Sequence, residues 1–100
     1  NFWSTSGMMA PFYEFLNTLS KWLISKGIKR ENAQNYITSL FVALSENAQK
    51  NSGKDLSLLV KSSQTPGGLN EQGVRLFKKF KFYKSTDKTL NDILKRLKKN

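Results

Sequence analysis

Thr65-Pro66-Gly67-Gly68-Leu69-Asn70-Glu71-Gln72-Gly73, TPGGLNEQG, separates two runs of helical periodicity. Each glycine inside a helix costs roughly 0.8 to 1 kcal/mol relative to alanine, so a pair at a helix start serves something other than helix formation. Read position by position, Thr65 is the expected N-cap, Pro66 takes N1 where its missing N–H costs nothing, and Gly67 and Gly68 take N2 and N3. The amides of Gly67, Gly68 and Leu69 then point outward without intrahelical partners. Glycines let a ligand approach such amides closely, and the helix dipole favours a small carboxylate or phosphate there. The same residues also suit a tight turn where two helices cross.

Outward from this turn the chain reads as all-α, with five helices and no strand. Phe12, Phe15, Leu16, Leu19, Trp22 and Leu23 recur at i, i+3, i+4 and predict a first helix over about Ala10 to Lys26, stopped by Gly27. Ala33, Tyr36, Ile37, Leu40, Phe41, Leu44 and Ala48 predict a second over about Arg30 to Asn51, and Val42 and Ala43 widen its apolar stripe. Such a helix, about 22 residues and ~33 Å long, exceeds what a small domain needs across its own core. It is therefore expected to pack against something else as well.

Asn51-Ser52-Gly53-Lys54 breaks the pattern, and Asp55 is the expected cap of a short third helix carrying Leu56, Leu59 and Val60. The fourth follows the glycine pair to about Phe80, with Phe77 and Phe80 on the core-facing stripe of Leu69, Gly73 and Leu76. Ser85 or Thr86 is the expected cap of the fifth, whose stripe is Leu90, Ile93, Leu94 and Leu97. Short connections predict roughly antiparallel neighbours.

A length of 100 residues bounds the chain to one small domain, 1–100, short for most cofactor enzymes. It begins with Asn1 rather than Met, and Phe2-Trp3-Ser4 resembles neither a signal nor a transit peptide, so a longer parent chain is expected. Cysteine and histidine are absent, which excludes disulfides, thiolate nucleophiles, imidazole bases and the usual zinc ligands. The longest apolar run, Leu40 to Leu44, is far below the ~18 residues of a membrane span, and a soluble, cytoplasmic protein with no membrane partner is expected. The net charge is +10, concentrated from Arg75 onward. Phe77-Lys78-Lys79-Phe80-Lys81-Phe82-Tyr83-Lys84 interleaves cations and aromatics as single-stranded nucleic-acid binders do. Because Phe77 and Phe80 fall on a core stripe, the lysines read instead as the wet faces of two helices, which argues against nucleic acid.

The order Pro11-Phe12-Tyr13-Glu14-Phe15, Gly27-Ile28-Lys29-Arg30-Glu31 and Val60 to Gly73, VKSSQTPGGLNEQG, resembles the C-terminal helical domain of Δ1-pyrroline-5-carboxylate reductases, over about Gly7 to Lys99. The resemblance implies an upstream Rossmann domain that binds NAD(P)H, with no cofactor held by the helical domain alone. It also implies an interlocked helical homodimer and a cyclic imine substrate whose carboxylate meets the Pro-Gly-Gly turn. Carried onto this sequence, the carboxylate falls on the hydroxyl of Thr65 and the amides of Gly67, Gly68 and Leu69. Two positions depart from the family: Met8-Met9-Ala10 replaces a glycine- and serine-rich run, and Leu69-Asn70 replaces a small residue and a threonine. That threonine hydrogen-bonds the substrate nitrogen, a role that passes to Asn70, whose amide donates but is a poor proton relay.

Of the other polar residues, Glu14 and Glu46 read as solvated helix surface, whereas Glu71 and Gln72 either border the pocket or favour the helix N-terminus. A side chain at Gly68 is expected to obstruct a ligand with little loss of fold, and Thr65→Ala to remove an N-cap at about 0.5 to 2 kcal/mol. Two readings stand against the reductase domain: a basic nucleic-acid-binding domain and a dimerisation module of a non-catalytic protein.

Overall fold

The computed structural model describes residues 1–99. Its helices are α1 (Phe2–Thr5), a 3-10 turn (Ser6–Met8), α2 (Met9–Ser25), α3 (Arg30–Lys50), α4 (Ser57–Ser62), α5 (Leu69–Lys79) and α6 (Phe82–Lys99), and the described residues include no strand. The five expected helices are α2 to α6. The additional α1 is a single turn, too short for apolar periodicity to reveal, closed by the hydroxyls of Thr5 and Ser6 on the carbonyls of Phe2 and Trp3. The chain forms two compact units, Met8–Lys54, and Asn1–Gly7 with Asp55–Asn100.

The first unit is the α2–α3 hairpin. Gly27 ends α2 at φ +99°, its N–H donating to the Ile24 carbonyl (3.0 Å) and that of Ile28 to Leu23 (3.2 Å), which is a Schellman cap. Only a glycine takes that left-handed position without strain. Phe41 meets Phe12 and Phe15 edge-on, with ring centroids 6.5 and 5.8 Å apart, and Ala33 and Ile37 are buried. The rest of the broad α3 stripe is uncovered: Tyr36 is 62% exposed, Leu40 37% and Leu44 53%, and Val42 stands exposed on another face.

In the second unit the N-cap of α4 is Leu56 rather than the expected Asp55, which stands one residue earlier and accepts the Ser57 N–H at 2.9 Å; this backbone hydrogen bond, with one from the Ser57 hydroxyl, lowers its carboxyl pKa. Gly7 passes so close to α6 that a Cβ there would lie 2.7 Å from Ile93 Cδ1. Two further sequence expectations are corrected. Ser85 and Thr86 do not cap α6, which begins at Phe82; instead Thr86 donates to the Phe82 carbonyl from within the helix. Phe80 and Leu69 are not core either, being 67% and 86% exposed.

One contact accounts for the early start of α6. Phe77 stacks on Phe82 at 4.6 Å and 16°, with Tyr83 edge-on to both, and this pulls the chain into a two-residue turn. Lys81 makes that turn at φ +65°, its N–H donating to the Lys78 carbonyl at 3.1 Å. A left-handed conformation costs an L-residue roughly 1 to 2 kcal/mol, partly offset in glycine by its larger unfolded-state entropy. Lys81→Gly is thus expected to stabilise the fold by about 0.5 to 1 kcal/mol, a rise of several degrees in a thermal melt.

Ala33 and Ile37 are the buried apolar residues among those described. Exposed large apolar side chains such as Tyr36, Leu40 and Leu44 on one face of α3 are what a chain presents when its core is completed by another molecule. No helix among the described residues is long and apolar enough to cross a membrane.

Candidate functional site

The glycine pair lies before α5 rather than inside it. Gly68 donates to the Thr65 carbonyl at 2.7 Å, and Gly67 holds φ +76° with Pro66 ahead of it, so Thr65 to Gly68 is a type II β-turn. Gly67 is the turn position that demands a positive φ. Gly68, extended at φ −86° and ψ 176°, is the N-cap, and Leu69 is the first helical residue. Thr65 is therefore not the N-cap. The Pro-Gly pair is better satisfied as a turn, which fixes φ at Pro66 and uses the freedom of Gly67, than as a first helical turn that would need helical φ from two glycines.

This shifts the amide cluster. The first hydrogen bond of α5 runs from the Gln72 N–H to the Gly68 carbonyl at 3.1 Å, so the N–H groups of Leu69, Asn70 and Glu71 lack intrahelical acceptors. Gly68 is engaged in the turn. Gly67 donates to Glu71 Oε1 at 2.8 Å. Of the three amides singled out in the sequence, that of Leu69 stays open. The hydroxyl of Thr65 makes no hydrogen bond among the described residues and its Cβ lies 3.4 Å from the point where a Cβ on Gly68 would stand. That point is also 3.0 Å from the Thr65 carbonyl oxygen, so a side chain at Gly68 would crowd the turn itself, contrary to expectation. Asn70 is exposed at the second helical position.

Glu71 both caps and borders. Its carboxylate reaches back over the turn to Gly67, a capping-box variant in which the N3 side chain bonds the residue before the N-cap. It is half-buried, and it lines an open groove of about 520 Å³ with Ser57, Val60, Lys61, Gln64 and Pro66. The contact was foreshadowed by the spacing of Glu71 three residues after Gly68. It was hidden because the N-cap was placed at Thr65. Glu14 accepts from Asn17 and Thr18 on an exposed face of α2, while exposed Glu46 borders an apolar groove with Phe12, Leu16, Phe41 and Val42.

The basic end gathers differently. Lys78, Lys81, Lys84 and Tyr83 line a cleft of about 380 Å³ at the α5–α6 turn, and Lys88 pairs with Asp92 at 3.1 Å. Such an exposed pair contributes no more than about 0.5 kcal/mol. No group of His, Cys, Asp and Glu among the described residues could hold a metal ion.

A family model described as pyrroline-5-carboxylate reductase dimerisation matches residues 3–100. No curated protein and no solved structure matches the chain.

Proposed function

The chain belongs to the pyrroline-5-carboxylate reductase dimerisation family, and from that premise we propose that it is the homodimerisation and substrate-carboxylate-binding domain of a cytoplasmic, NAD(P)H-dependent reductase of a cyclic imine such as pyrroline-5-carboxylate, as in proline biosynthesis. The observation that carries the binding half is the Thr65–Gly68 turn, after which the first N–H groups of α5 are left without intrahelical acceptors. A carboxylate seated there accepts from the Thr65 hydroxyl and from the amides of Leu69 and Asn70. The Gly67 amide joins when Glu71 releases it, and the bare backbone of Gly67 and Gly68 admits the approach. In this reading Asn70, exposed at the second helical position, takes the hydrogen bond to the ring nitrogen.

The described residues do not fit a dinucleotide. They hold no strand, and a nucleotide fold needs strand–turn–helix units. An upstream Rossmann domain supplies the NAD(P)H site in this reading, and the helical domain orients the imine against it. The uncovered apolar surface is the seat of the homodimer. The test is an assay of the full-length protein for NADH and NADPH oxidation with pyrroline-5-carboxylate, alongside the 100-residue chain alone. Turnover by the full-length protein and none by the isolated domain is the expected result. An inactive, correctly folded full-length protein would overturn the substrate assignment.

A further inference from the structure

We propose that the α5–α6 turn, residues 78–84, is a docking surface for single-stranded nucleic acid, its lysines meeting phosphates and its exposed rings stacking on bases. Neither the surface nor its partner depends on the imine assignment. In the sequence, nucleic acid is disfavoured because Phe77 and Phe80 share a core stripe, and the structure removes half of that reason. Phe77 is held in the stack with Phe82, but Phe80 is 67% exposed, makes no ring contact among the described residues and stands between the exposed Lys79 and Lys81. Tyr83 is 43% exposed and joins Lys78, Lys81 and Lys84 around the cleft of about 380 Å³, whose wall holds no acidic residue. From Arg75 onward the acidic residues are Asp87 and Asp92, and Asp92 is taken by Lys88. The cleft lysines form no ion pair among the described residues.

The fold itself does not call for cations at these positions. Lys81 holds φ +65°, where glycine is at ease and an L-residue is strained. Lys84 lies in the first turn of α6, which carries no acidic residue, although the helix dipole favours negative charge there. Lysines kept against both preferences cost the fold stability, a pattern expected where the charge serves a ligand. They also add to the positive potential of a chain of net charge +10, whose complement is a polyanion. The rings choose among polyanions. A membrane-surface helix needs a free apolar face, whereas on α6 Ile93 lies against Gly7 and Leu90 and Leu94 are half-buried. The bases of a duplex, stacked on one another, offer no faces to Phe80 or Tyr83, and those of a single strand do.

The experiment measures the fluorescence anisotropy of a labelled oligothymidylate of about 12 nucleotides, within the site sizes of single-strand binders, on the full-length protein between about 50 and 200 mM salt. Micromolar binding is expected, with a log–log salt slope of about −2 when each cleft lysine neutralises one phosphate at roughly −0.7. A duplex of the same length should bind more weakly. Lys81→Gly, which relieves the strained turn and should melt higher, should weaken binding about threefold or more and flatten the slope by about 0.7. Lys21→Ala, an equal loss of charge at an exposed position of α2, should change affinity by less than about twofold. Phe80→Ala should weaken binding about fivefold or more, the loss of one stacked base, with sedimentation unchanged. Equal losses in Lys21→Ala and Lys81→Gly would reduce the binding to net charge and overturn the inference. So would no binding by the folded wild type, a duplex bound as tightly, wild-type affinity in Phe80→Ala, or its dissociation into monomers, which would give that ring to a second copy. Binding of phosphatidylserine vesicles in place of the oligonucleotide would overturn it in favour of a membrane surface.

Discussion

Leu44→Glu will convert the 100-residue chain from a dimer into a monomer and abolish its cooperative unfolding. Leu44 is 53% exposed in the protomer, so within one chain a glutamate there meets water and costs little. Between two chains the same glutamate buries a charge without a partner and removes an apolar side chain whose burial is worth about 1.5 to 3 kcal/mol. The expected weakening of association is at least 100-fold, or about 2.7 kcal/mol. Fold is lost with the dimer because Ala33 and Ile37 are too little core to hold α2 on α3 unaided. Asn35→Glu, on the polar side of α3, is the control and should leave the dimer intact. Sedimentation velocity across micromolar concentrations, read beside circular dichroism, decides it. A wild-type chain that sediments as a folded monomer would show that the uncovered stripe serves another partner.

The helices that were legible in the sequence are those whose ends are written in side chains with one available conformation. Gly27 closes α2 in the left-handed region that its neighbours avoid, and the breaker Asn51-Ser52-Gly53-Lys54 and Asp55 set the gap before α4. The α5–α6 boundary was not legible because the turn is made by Lys81, a residue with no preference for positive φ, and is held by the Phe77–Phe82 stack. A tertiary contact there overrides the hydroxyl signals of Ser85 and Thr86. The long apolar stripe of α3 is left partly uncovered by its own chain, as its width led one to expect, because a helix with more apolar width than its own chain covers must find more. The exposure of Phe80 and Leu69 carries the same message less visibly: periodicity identifies an apolar face but cannot say which molecule covers it.

The candidate site was legible in its residues and not in its register. Thr65, Gly67, Gly68, Leu69 and Asn70 do gather at the head of α5, yet two of the three amides singled out are engaged, one by the turn and one by Glu71. The reason is that Pro-Gly satisfies two backbone demands at once, the fixed φ of Pro66 and the positive φ of Gly67, so the helix starts three residues later than Pro66 at N1 would have it. That displacement changes which experiment is informative. A substitution at Gly68 presses on the Thr65 carbonyl at 3.0 Å and confounds blocking with a disturbed turn.

Thr65→Ala in the full-length protein will raise the Michaelis constant for the imine by about 10- to 100-fold and leave the melting temperature within a degree or two. The magnitude follows from the hydrogen bond: a hydroxyl donating to a charged acceptor is worth roughly 1.5 to 3 kcal/mol, and each 1.4 kcal/mol is a factor of ten. Stability should hold because α5 is capped at Gly68 with no side-chain hydrogen bond, so the threonine hydroxyl contributes nothing to the helix start. Had Thr65 been the N-cap, the same change would have cost about 0.5 to 2 kcal/mol of fold and the two effects could not have been separated. The turnover number should change less than the Michaelis constant, since the carboxylate is held alike in ground and transition states. Thr65→Ser, which keeps the hydroxyl, should recover most of the affinity. A Michaelis constant for Thr65→Ala within twofold of the wild type, in a protein that melts normally, would place the substrate carboxylate away from this turn and leave the Pro-Gly-Gly sequence with the shape of the backbone as its sole purpose.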